Sequence, residues 1–182
     1  SLGWLPDTIS FVLVAMLAGC PDAPPEPSPE PGPLAVADGW ERVTDPALDV
    51  FAAMRPADAV CDDAGYYVDP VVQSIEVQTD VCDYLTMRQA SLKPLAPGDV
   101  VTVLAFHNEL TAATPGEGYF GLALDGAVVW EETVPIPSAA AEMKGEFTIE
   151  RALPAGTELQ FHVHNHGPNS WELLSVQLTP GG

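Results

Sequence analysis

An all-β fold, an antiparallel sandwich or barrel, is predicted for this 182-residue chain on three observations. From Val71 onward, runs rich in Val, Ile, Leu, Thr and aromatic residues recur at short intervals, with turn residues between them. Asp125-Gly126 separates two of these runs, and Gly tolerates the positive φ that a tight hairpin needs. No helical pattern alternates with the runs, so the chain does not read as a parallel sheet with crossover helices.

Eight strands are expected. In order they lie at 71–78 (VVQSIEVQ), 81–89 (VCDYLTMRQ), 99–107 (DVVTVLAFH), 118–124 (GYFGLAL), 127–132 (AVVWEE), 145–151 (GEFTIER), 157–165 (TELQFHVHN) and 171–179 (WELLSVQLT). Pro97-Gly98 and Pro154-Ala155-Gly156 supply further turns. Ahead of the strands, Thr44-Asp45-Pro46 offers a cap and a first-turn Pro for a short helix. Such a helix would put Leu48, Phe51 and Met54 on one apolar side and end at Pro56. The organisation predicted is a signal peptide over 1–19, a linker over 20–39, a lead-in over 40–70 that packs on the domain, and a β-sandwich over 71–180.

Charge narrows the partners. With 26 acidic and 6 basic residues, the formal net charge is −20. A surface of that sign repels phosphate backbones, which excludes nucleic acid as the expected partner, and it attracts cations. Asp62, Asp63, Asp69, Asp80 and Asp83 offer hard oxygen ligands for Ca²⁺, without the regular spacing of a known Ca²⁺ loop. A solvated acidic loop has the same composition.

Residues 9–18, ISFVLVAMLA, form an uncharged apolar run too short to span a bilayer and long enough for the core of a signal peptide. Leu17-Ala18-Gly19-Cys20 follows and resembles the lipobox of bacterial lipoproteins. The resemblance implies diacylglyceryl attachment to Cys20, a membrane as partner through that anchor, and a place in the cell envelope. Residues 1–8 lack the usual basic lead, and the chain opens on Ser, as a truncated or misassigned start would leave it. Residues 21–33 hold seven prolines in thirteen positions, which favours an extended polyproline II spacer of roughly 40 Å at 3.1 Å per residue. With Cys20 acylated, Cys61 and Cys82 remain as a disulfide pair in an oxidising compartment.

The segment Asn169-Ser170-Trp171-Glu172-Leu173-Leu174-Ser175-Val176 resembles the last strand of carbohydrate-binding modules of the galactose-binding, jelly-roll type. With the strand series it implies a jelly-roll sandwich and a ligand-binding function. His166, Asn169 and Trp171 are the candidate ligand contacts, joining a turn, an amide and an indole at a sheet edge.

Three of the four histidines alternate in FHVHNHG, residues 161–167. On a strand, Leu159, Phe161 and Val163 share one face, and Glu158, Gln160, His162, His164 and His166 share the other. The second face reads first as a polar exterior, and otherwise as the rim of a ligand site or a Zn²⁺ or Cu²⁺ site of His162 and His164 completed by His107. Gly156 followed by His162-x-His164 resembles the opening of the first cupin motif, but Gly167-Pro168 stands where that motif continues with Glu. There is no GxSxG, no phosphate-cradling glycine loop and no catalytic cysteine with a base, so no catalytic residue is assigned. The expected function is a lipid-anchored binding or adhesion module for carbohydrate. The alternatives are a histidine-based metal-binding lipoprotein and a structural envelope component with a protein partner.

Overall fold

A computed structural model describes residues 30–165 and 167–182; Cys20, the apolar run and His166 lie outside the described residues. Eleven strands are present: β1 (Gly32–Pro33), β2 (Glu41–Arg42), β3 (Tyr66–Asp69), β4 (Ser74–Gln78), β5 (Tyr84–Ala90), β6 (Val100–His107), β7 (Gly116–Leu124), β8 (Ala127–Ile136), β9 (Ala141–Thr148), β10 (Glu158–His164) and β11 (Ser170–Thr179). They form two antiparallel sheets. The first runs β3-β4-β11-β6-β9 with β1 also on β11, and the second runs β2-β5-β10-β7-β8.

The eight expected strands correspond to β4 through β11. Their pairing makes the fold a jelly roll: the first pairs with the last (β4 with β11), the second with the seventh (β5 with β10), the third with the sixth (β6 with β9) and the fourth with the fifth (β7 with β8). The innermost hairpin turns at Asp125-Gly126, where both residues have positive φ, at 51° and 77°. This is the backbone that the Asp-Gly dipeptide predicted. The turns at Pro97-Gly98 and Pro154-Ala155-Gly156 likewise place glycines at positive φ.

Alternation builds the core. In β6, Val101, Val103, Ala105 and His107 point inward, and in β10 Leu159, Phe161 and Val163 do so, as expected for those three. Trp171 and Phe120 are fully buried among them, and Trp40 packs edge-on against Phe161 with ring centroids 5.0 Å apart. Each fully buried Val, Leu or Phe among them contributes about 1.5–3 kcal/mol by leaving water.

Two differences from the sequence reading have physical causes. The sandwich begins well before residue 71, because β1 adds to the first sheet and β2 to the second. Leu34 is buried between them and donates its N–H to Val176 O (2.8 Å), so residues 32–43 clip both sheets at one edge. The expected helix near 44–56 is instead two 3-10 turns, Pro46–Leu48 and Ala52–Met54. Asp45 does cap the first, its Oδ1 accepting from Ala47 N at 2.9 Å. Of the predicted apolar side, only Phe51 is buried, whereas Leu48 and Met54 are exposed, because the segment crosses a sheet face with one side chain down. As expected from the sequence, Cys61 and Cys82 are joined by a disulfide, which ties the chain ahead of β3 to the entry of β5.

Candidate functional site

The outward face of the second sheet carries the histidines. Register sets them in rows across the strands. One row runs Tyr84 (β5), His164 (β10), Tyr119 (β7) and Thr133 (β8); the next runs Thr86, His162, Gly121 and Glu131. The period-two alternation that sends Phe161 and Val163 into the core forces both histidines onto this side.

This face is not a bare polar exterior, because residues 48–55 lie across it. Val50 N donates to Gln160 Oε1 (3.0 Å), and Gln160 Nε2 donates to Leu48 O (2.7 Å). Tyr84 OH donates to Asp49 Oδ2 (2.7 Å), while Asp49 Oδ1 accepts from Phe51 N (2.9 Å). The Phe51 ring then stacks on His162, with centroids 4.8 Å apart and planes within 15°. Gly121 makes the room: a Cβ there would come within 2.8 Å of the Phe51 ring.

His162 is consequently fully buried. Its Nδ1 is 2.8 Å from Thr86 Oγ1 and its Nε2 is 2.9 Å from His164 Nδ1, so both ring nitrogens are hydrogen-bonded. Burial first, and the neighbouring His164 second, hold its pKa well below the ordinary imidazole value, so the ring is neutral at physiological pH.

The row beside it is partly open. Tyr84, His164 and Tyr119 stand nearly parallel: His164 is within 14° of Tyr84 at 6.3 Å and within 10° of Tyr119 at 5.1 Å. A carboxylate holds each phenol. Tyr119 OH donates to Glu131 Oε2 at 2.6 Å, matching the Tyr84–Asp49 bond at the other end. Burial, reinforced by those carboxylates, raises both phenol pKa values far above ten, so the two rings remain protonated donors. Tyr84 and Tyr119 are buried, at 3% and 7% exposure, His164 is half-buried, and Glu131, Thr133 and Arg55 are exposed, so only the polar groups reach solvent and the phenol rings back them. Arg55 lies over the Tyr84 ring, 5.0 Å from its centroid. The result is a shelf of polar edges whose geometry is fixed by packed rings.

The predicted site residues part company here. His162 and His164 meet, but His107 does not join them. It faces the core from the other sheet, with its ring 5.2 Å from Trp171 and its Nδ1–H donating to Asn108 O (2.8 Å). Two imidazoles on one tetrahedral Zn²⁺ hold their nitrogens roughly 3.3 Å apart. At 2.9 Å, His162 and His164 bond to each other instead. Among the described residues no group of three His, Cys, Asp or Glu side chains is placed to hold a metal. This corrects the three-histidine site.

Two of the three candidate ligand contacts, Trp171 and Asn169, are corrected too; the third, His166, lies outside the described residues. Trp171 is fully buried and its Nε1–H donates to Asn165 Oδ1 (3.3 Å), so it offers no platform to a ligand. Asn169 is buried as a clamp: Oδ1 accepts from Thr111 N (2.7 Å), and Nδ2 donates to Thr111 O (3.2 Å) and Asn165 Oδ1 (2.9 Å). Four of the five aspartates considered for Ca²⁺ are engaged within the fold. Asp62 accepts from Ala64 N, Asp69 from Val71 N and Val72 N, and Asp83 from Val60 N, while Asp63 pairs with Arg42.

No family model matches the chain, and no curated protein matches it. Its fold is similar to those of carbohydrate-binding modules. One is a family 27 module whose structure concerns specific mannan recognition, at 10% identity over 83% of this chain and 95% of that one, with a TM-score of 0.47. A family 4 module aligns at 13% identity over 80% and 88% of the two chains, with a TM-score of 0.46. A xylan-binding family 22 domain from Paenibacillus barcinonensis aligns at 9% identity over 84% and 93%, with a TM-score of 0.40.

The sequence does not single out Tyr84, Tyr119, Arg55 or Glu131, and it offers Phe51 only as part of an apolar helix side. The strand parity of Tyr84, shared with Thr86 and Arg88, was available as a signal. The covering by Phe51 was not, since Val50 and Gln160 are 110 positions apart.

Proposed function

We propose that the domain is a carbohydrate-binding module whose site is the shelf formed by Tyr84, His164, Tyr119 and the exposed polar groups around them. One observation carries the reading: three nearly parallel rings across β5, β10 and β7, with a carboxylate fixed at each end of the row. A sugar presents hydroxyls at set spacings, and half-buried His164 with the exposed Glu131, Thr133 and Arg55 offers acceptors and donors backed by those buried rings. Because the rings lock the polar groups in place, little side-chain entropy remains to be lost on binding. The lipobox-like Cys20 and the Pro-rich spacer support an envelope setting, in which acyl groups hold the module near a membrane and the spacer extends it outward. The Cys61–Cys82 bridge fits such an oxidising compartment.

A glycan array followed by calorimetry tests the binding site. Tight binding to at least one polysaccharide is expected, weakened about tenfold in His164→Ala, which removes a hydrogen-bonding ring, and in Glu131→Gln, which replaces a charged acceptor by a neutral amide. Binding no better than that of the doubly substituted protein across the array rejects the reading. Mass spectrometry of the native mature chain checks the anchor separately; an unacylated Cys20 removes it without touching the binding site.

A further inference from the structure

The chain has six Lys and Arg side chains, and five of them are engaged by oxygen. Arg42 pairs with Asp63, Arg88 with Glu41 and Glu158, Lys144 with Glu146 and Arg151 with Asp125. Lys93 donates to the carbonyls of Glu30 and Pro31. Arg55 is the exception. Among the described residues no carboxylate lies within ion-pair distance of its guanidinium, in a protein with 26 of them. Its position is not arbitrary: it is exposed, stacked over Tyr84, and part of the segment that Asp49, Val50 and Phe51 fasten to the sheet.

We propose that the glycan taken by this shelf bears a carboxylate, as in a uronic acid, and that Arg55 pairs with it. The proposal rests on the carbohydrate reading above and names the class of sugar. Arg presents its donors as a planar fork that suits a carboxylate, and stacking on Tyr84 orients the fork while leaving its edge to solvent. The two carboxylates nearest the row are each committed to a phenol, Asp49 to Tyr84 and Glu131 to Tyr119. Net charge limits the ligand further. At physiological ionic strength the screening length is about 8 Å, so a single carboxylate at Arg55 is governed by its immediate neighbours. A densely charged chain extends past that distance over a surface carrying −20 overall, and is repelled. Sparse carboxylates are therefore favoured over heavily sulfated glycans.

The test uses fragments of pectin, alginate and glucuronoxylan, each beside its carboxyl-reduced counterpart, together with a sulfated glycan. Calorimetry is run on the wild-type chain, Arg55→Gln and Arg55→Lys, with melting curves to check that the variants fold. The expected result is that one carboxylated fragment binds about tenfold more tightly than its reduced form. The preference disappears in Arg55→Gln, shrinks in Arg55→Lys, and weakens with added salt. Equal affinity for acidic and reduced forms in the wild type, or a preference that survives Arg55→Gln, overturns the role of Arg55 and leaves the carbohydrate reading standing. Tightest binding to the sulfated glycan overturns the choice of carboxylate. Binding to no glycan of any kind overturns both readings.

Discussion

Phe51→Ala is the most informative single perturbation, because Phe51 joins the chain ahead of the sandwich to the proposed site. Its side chain is 1% exposed, stacks on His162 at 4.8 Å and meets Tyr119 edge-on at 6.3 Å. Truncating a buried Phe costs about 3–5 kcal/mol from lost transfer energy and the remaining cavity. The lower end applies here, since residues 48–55 lie on the surface and can settle into part of the gap. The hydrogen bonds of Val50 and Asp49 to Gln160 and Tyr84 do not involve the ring and persist. A loss of about 3 kcal/mol corresponds to a fall in Tm of roughly 6–12 °C for a domain of this size. Differential scanning calorimetry measures that fall. A second readout isolates the cause: with the ring gone, water reaches His162, and its pKa climbs toward the ordinary value near 6.5, visible in an NMR titration of the imidazole carbons. A Tm change below about 2 °C, or a His162 resonance that titrates as in the wild type, would refute the claim that Phe51 seals this face.

Three further outcomes are expected. Folded His162 has a depressed pKa, so the unfolded chain takes up a proton near pH 6.5 that the native chain refuses. The stability from His162 is thus complete above pH 6.5 and declines as pH falls below it, by about 1.4 kcal/mol per unit until the folded pKa is reached. Denaturation curves between pH 7 and pH 5 should accordingly show a shallower pH dependence in His162→Gln than in the wild type, and parallel slopes would count against the assignment. Asn169→Ala strands Thr111 N and unties the 108–111 loop from the 165–170 turn, costing about 2–4 kcal/mol in urea denaturation. Its glycan affinity should remain unchanged, and a selective loss of binding with stability intact would restore the ligand role first expected of this residue. Reducing Cys61–Cys82 releases a 21-residue separation worth about 3 kcal/mol in the chain-entropy picture, so the melting point under reductant should drop by a comparable 6–12 °C.

What the sequence determined by itself is the part governed by neighbours along the chain. The strand positions from β4 to β11 follow from local composition and punctuation, and the hairpin at Asp125-Gly126 from the need for positive φ. That His162 and His164 share a side is a consequence of a period of two. The environment of that side depended on the tertiary structure. Strand alternation distinguishes two faces but says nothing of what covers either one, so His162 could be placed opposite Phe161 and not beneath Phe51. Only the folded chain brings Leu48 and Val50 onto Gln160 across 112 and 110 positions. The same limit explains His107 and Trp171. Their residue types suggested ligand contacts, yet register and sheet packing turn both into the core, where burial and hydrogen bonds to neighbouring turns decide their role. Local periodicity orders the strands; which surfaces remain in water is set by contacts between segments far apart in the chain.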